Sequence, residues 1–88
     1  MDNLLPHHWK LSFETSEDED HCDMVVHLDA GDRSLVGVGR SRRNPKDLSI
    51  PQIGEELAAA RALHDLAQHL EDDARSMIES YDPKFAGR

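Results

Sequence analysis

The sequence predicts a two-layer α+β domain: a three-stranded antiparallel sheet in β-β-β-α order, with one long amphipathic helix packed on one face. Three observations carry this reading. Residues 8–14 and 22–29 alternate apolar and polar side chains, the period of a half-buried strand. Residues 33–41 form a third short run in which Leu35, Val36 and Val38 are interleaved with Gly37 and Gly39. From Gln52 the period changes to that of a helix and holds until Asp82-Pro83 ends it.

Each element follows from local residues. In the first strand Trp9, Leu11 and Phe13 point one way and Lys10, Ser12 and Glu14 the other. The polar, acidic segment Thr15 to Asp20 reads as a solvated loop; it lacks the spacing and turn glycine of an EF-hand calcium loop. In the second strand Cys22, Met24, Val26 and Leu28 share a face. Ala30-Gly31-Asp32 supplies the turn, with Gly31 free to take positive φ. Gly37 and Gly39 lie on one face of the third strand, so a neighbouring element is expected to approach that backbone closely.

The segment from Arg42 to Asp47 reads as a basic loop. Ser49 and Gln52 match a capping box, and Pro51 suits a first helical turn. At about 100° per residue, Ile53, Ala60, Leu63, Ala67, Leu70, Ala74, Met77, Ile78 and Tyr81 fall on one broad face, which is the expected core face. Arg61, Asp65, Gln68, His69 and Asp72 fall opposite. Glu71 and the pair Asp72-Asp73 predict a kink or a short extra C-terminal helix near 72–75. Gly54 in the helix points to close helix–sheet contact or to a weakened first turn.

The 88 residues make one domain, with a core at about 8–82 and tails at 1–7 and 83–88. A chain this short buries only about 60–65% of its unfolded surface. With four aromatic residues the core is lean, which favours association with a second copy. Three short strands also leave two edges that invite pairing. The net charge is −8, spread unevenly: −7 over residues 1–30, +3 over 31–47 and −4 over 48–88. Such a field repels nucleic acid and anionic membrane at long range. The single Cys22 excludes an intramolecular disulfide and fits a reducing, cytoplasmic setting. No signal peptide or apolar span is expected.

No catalytic constellation emerges. There is no Gly-x-Ser-x-Gly elbow, and Cys22 sits in mid-strand, where a free cysteine is a small core residue. Gly37-Val38-Gly39-Arg40-Ser41 lacks the third glycine, the lysine and the immediate helix of a phosphate loop. The six histidines lack metal-ligand spacing: His64 and His69 are five apart, and His21 and Cys22 point to opposite faces. The expectation is a non-enzymatic protein with no cofactor and no metal. The basic island is the one charged feature that stands out. Arg40, Arg42, Arg43 and Lys46 are candidate phosphate or RNA contacts, although a solvated loop that neutralises acidic neighbours explains them as well.

The strings Leu35-Val36-Gly37-Val38-Gly39-Arg40, Asn44-Pro45, Ile50-Pro51-Gln52-Ile53-Gly54-Glu55-Glu56-Leu57-Ala58 and Ala60-Arg61-Ala62-Leu63 are more specific. With Trp9 opening the first strand, they resemble an actinobacterial family of small hypothetical proteins known from dormancy-induced mycobacterial members. The resemblance covers about residues 8–82. It implies a fold like the double-stranded-RNA-binding domain without its first helix, and pairing as homodimers. The family's likeness to ribosome hibernation factors implies a stress- or dormancy-linked, ribosome-associated role, with ribosomal RNA as partner. The alternative is an acidic protein–protein interaction module that binds no RNA.

Overall fold

The computed structural model describes residues 7–44, 46 and 50–81. Strands β1 (Lys10–Glu17), β2 (His21–Asp29) and β3 (Ser34–Arg42) form one antiparallel sheet in the order β1-β2-β3, followed by helix α1 (Pro51–Tyr81). The expected α+β architecture is therefore present. Strand β1 runs further than its alternation suggested, because Thr15, Ser16 and Glu17 continue the ladder opposite Met24, Asp23 and Cys22. Only Asp18 to Asp20 turn. The Asp18 carboxylate accepts the backbone N–H groups of Asp20 and His21, both at 2.8 Å. These bonds hold its pKa below the usual carboxylate value. Gly31 turns the second hairpin at φ 90°, with its N–H on the Asp29 carboxylate.

Cys22, Met24, Val26 and Leu28 are buried, as their alternation requires. The helix packs over β3 and β2. It buries Ala58, Ala62 and Leu66, with Ala59 and Leu70 half-buried beside them. This corrects the expected core face: Ile53, Leu63, Met77, Ile78 and Tyr81 are exposed. The cause is steric. Side chains added at Gly37 and Gly39 would collide with the helix backbone at Ala62, Leu66 and Ala58. At so short a distance the small residues Ala58 and Ala62 take the centre of the contact line, with Leu66 following them, and Ile53 and Leu63 are turned away. Ser41 is also buried, and its hydroxyl donates to the Gly54 carbonyl at 2.8 Å. Gly54 thus sits at a close helix–sheet contact.

The helix runs unbroken for 31 residues, with neither a kink nor a second helix at 72–75. Asp72 is held on the solvated face by Gln68 and Arg75. The helix is about 46 Å long, whereas a nine-residue strand spans about 30 Å. The turns carrying Ala74, Met77, Ile78 and Tyr81 are accordingly exposed. The capping box drawn on Ser49, the Pro45 and Asp47 positions of the basic loop, residues 1–6 of the expected first tail and the whole of 83–88 lie outside the described residues.

Candidate functional site: an apolar trough beside the helix

The basic island does not assemble as one patch. Arg40 and Arg42 alternate with the buried residues of β3 and therefore point to the sheet face away from the helix. Arg40 Nε lies 2.8 Å from Asp23 Oδ1 on the neighbouring strand. Arg43 turns to the first hairpin, where Nη2 meets Asp20 Oδ1 at 3.0 Å and Nε meets the Glu19 carbonyl at 3.3 Å. Lys46 is exposed, and its backbone N–H bonds Asn44 Oδ1. Arg42 is exposed and makes no ion pair among the described residues. Two of the four candidate phosphate contacts are thus already matched to carboxylates. At the start of the helix the positions Gln52, Glu55 and Glu56 add no positive charge.

Cys22 is buried, and burial, reinforced by the nearby Glu17 charge, pushes its thiol pKa up. It stays protonated and is a poor nucleophile. No group of three or more metal-binding side chains exists among the described residues. An open cleft of ≈ 650 Å3 lies between the first hairpin and the helix start, with Ile50, Ile53 and Leu57 on its apolar side and Glu17 to His21 on its polar rim.

A second surface feature is apolar, and it comes from the mismatch between sheet width and helix width. Leu11 pairs with Leu28, Phe13 with Val26 and Thr15 with Met24. Residues directly opposite share a face, so Trp9, Leu11 and Phe13 point to the helix side of the sheet. The helix covers β2 and β3 and leaves all of β1 exposed. Trp9 keeps 53% of its surface in solvent, Leu11 50% and Phe13 45%. On the β1 side of the helix, Ala59, Leu63 and Leu70 continue the apolar surface as a wall. The result is a trough with β1 as floor and α1 as wall. One end is closed by Arg33, whose guanidinium lies 5.8 Å from the Trp9 ring centroid while Nε is 3.6 Å from Asp73 on the helix.

All three described aromatic residues, Trp9, Phe13 and Tyr81, are outside the core. Aromatic side chains carry the largest apolar surface a chain has, and here that surface stays in solvent rather than in the core. Sequence reasoning assigned Leu63 and its companions to the core and so missed the trough. The signal was present in the helix, which carries two apolar stripes, Ala58-Ala62-Leu66 and Leu63-Leu70-Met77, where one sheet can cover only one.

Fold and surface together define a small two-layer α+β domain with an open sheet edge. More particularly, the chain belongs to the Rv2632c-like family, whose model matches residues 7–85. It is 40% identical over 69 residues to the uncharacterized protein MT1780 of Mycobacterium tuberculosis (strain CDC 1551 / Oshkosh), covering 78% of this chain and 72% of that protein. It is 42% identical over 64 residues to the uncharacterized protein Rv2632c of Mycobacterium tuberculosis (strain ATCC 25618 / H37Rv), covering 73% and 69%. The crystal structure of Rv2632c superimposes with a TM-score of 0.83 at 33% identity, over 93% of this chain and 98% of that one. These relatives indicate no enzyme family. No helix among the described residues is long and apolar enough to cross a membrane.

Proposed function

We propose that this protein is a non-enzymatic protein-binding module of the cytoplasm whose first partner is a second copy of itself. The trough carries the reading: Trp9, Leu11 and Phe13 lie exposed beside an apolar helix wall. Each is already about half buried, so covering the rest is worth about 1 kcal/mol per side chain, and a two-fold pair counts each side chain twice. The test is the solution mass by light scattering at micromolar protein. The expected mass is twice 9.9 kDa, and Phe13→Glu is expected to halve it with the circular dichroism unchanged. A wild-type monomer overturns the reading.

The second reading is the stress- or dormancy-linked ribosome-associated factor, with ribosomal RNA phosphates contacted by Arg40, Arg42, Arg43 and Lys46. The exposure of Arg42 on the open sheet face favours it. The ion pairs of Arg40 and Arg43 count against it, since an RNA phosphate must displace Asp23 and Asp20. Its test is co-sedimentation with ribosomes from starved cells at low and moderate salt. Salt-sensitive comigration, lost on Arg42→Glu/Arg43→Glu, supports it; protein left at the top of the gradient at both salts retires it.

A further inference from the structure

The two edges of the sheet are treated differently. On β3 three of the outward backbone groups are already bonded by the helix. Asp65 Oδ2 accepts the Val38 N–H at 2.9 Å, His69 Nδ1 donates to the Val36 carbonyl at 2.7 Å, and Arg61 Nη1 donates to the Arg40 carbonyl at 2.7 Å. Arg61, Asp65 and His69 recur every four residues, so one line of the helix lies along the middle of this edge and obstructs it. Strand β1 has no such cover. All eight of its residues are exposed. It contains no proline, and its ladder with β2 has no bulge.

The hydrogen-bond phase of β1 is fixed at the hairpin. The Asp18 N–H donates to the His21 carbonyl at 3.0 Å, which turns the backbone of even-numbered β1 residues toward β2. The N–H and C=O groups of Leu11, Phe13 and Thr15 therefore face outward, ready for another strand.

We infer that β1 pairs antiparallel with β1 of a second copy, with Ser12 on the two-fold axis, to give a continuous six-stranded sheet. This rests on the self-pairing reading above and specifies its geometry. Registers that keep both faces intact place helix-side residues opposite helix-side residues. With Ser12 on the axis, Leu11 lies opposite Phe13 of the second copy, Trp9 opposite Thr15 and Lys10 opposite Glu14. The Lys10–Glu14 pairs fall at non-hydrogen-bonded positions, where side chains stand closest. Each contact occurs twice. Placing the axis at Phe13 instead sets Lys10 opposite Ser16 and Glu14 opposite Ser12, which pairs no opposite charges. A two-fold perpendicular to the sheet leaves both helices on one side, and the Trp9, Leu11 and Phe13 side chains of both copies line the space between them. The assembly stops at two, because both of its outer edges are capped β3 strands.

Cysteine cross-linking tests the register. Ser12→Cys brings two thiols together across the axis at a non-hydrogen-bonded pair, the position that accepts a cross-strand disulfide. The expected result under mild oxidation is conversion of most of the protein to a covalent dimer. Ser16→Cys, placed opposite His8 of the second copy, stays monomeric on the same non-reducing gel. The native Cys22 is 3% exposed and contributes no link of its own. Light scattering of both variants separates the two levels of the claim. A non-covalent dimer in which Ser12→Cys stays unlinked, or in which Ser16→Cys links instead, overturns the edge and register but leaves self-pairing standing. A monomer overturns both.

Discussion

Gly39→Ala is expected to destabilise the domain by about 3 kcal/mol or more, and Gly37→Ala by a similar amount. The reason lies in what an added methyl group meets. At Gly39 it overlaps the Ala58 carbonyl oxygen and the Ala62 amide nitrogen. At Gly37 it overlaps the Ala62 carbonyl oxygen and comes within 2.6 Å of Leu66 N and 2.8 Å of Leu66 Cβ. Nearly all of these are backbone atoms of a regular helix, which no rotamer change can move. The whole helix must lift, and Val26, Met24 and Leu66 then lose the contacts that bury them. A domain of this length has a total stability of roughly 4–13 kcal/mol, so the change consumes a large share of it. The melting temperature is expected to fall by roughly 12 °C or more. A double variant separates this from ordinary overpacking. Adding Ala58→Gly to Gly39→Ala brings no rescue, because the overlap is with the main chain and not with the alanine side chain. Gly31→Ala is the contrasting case: nothing lies within 4 Å of an added Cβ. Its cost comes from the positive φ alone, about 1–2 kcal/mol. A Gly39→Ala variant that melts with the wild type would show that close approach does not set the helix position.

The same glycines explain how far the fold was legible from the residues. Strands β2 and β3 and their turn follow from alternation and from Gly31, which are local signals. The glycine pair also announced that something would approach β3. The strength of that approach was not local. It selects side chains by size, so Ala58 and Ala62 take the contact line ahead of Ile53 and Leu63, and hydrophobic periodicity points to the wrong side of the helix. The trough was hidden for this reason. The polar stripe Arg61-Asp65-His69 falls opposite the apolar residues, and nothing in its composition shows that it borders a strand edge. The extension of β1 through Thr15, Ser16 and Glu17 was hidden by composition too, since three polar residues carry no alternation; only the pairing with β2 makes them a strand. The basic island was visible as charge, but the dispersal of its side chains between two sheet faces and a hairpin depends on strand phase and on carboxylates more than twenty residues away in sequence for Arg43.

Removing the cap from β3 is expected to change how the protein assembles far more than it changes stability. In Asp65→Ala/His69→Ala the Val38 N–H loses its acceptor and the Val36 carbonyl its donor. Both side chains are partly exposed, so water replaces the lost bonds and the stability loss is about 1–2 kcal/mol. The consequence for association is larger. Uncapped, β3 offers a row of free backbone groups, with Val36 and Val38 exposed on its outer face. A flat, apolar edge of this kind recruits another strand. With β1 engaged at the two-fold, a β3 edge open at each end of the six-stranded sheet turns a closed pair into a unit that can add at both ends, and such contacts do not close. The double variant is therefore expected to show a mass that climbs with concentration, together with a gain in β-sheet signal. Asp72→Ala, on the solvated face of the same helix, is expected to keep the wild-type mass. If the double variant also keeps the wild-type mass across the micromolar to millimolar range, the helix stripe is not what closes that edge. The geometry then assigns the limit on assembly to the bulk of the helix alone.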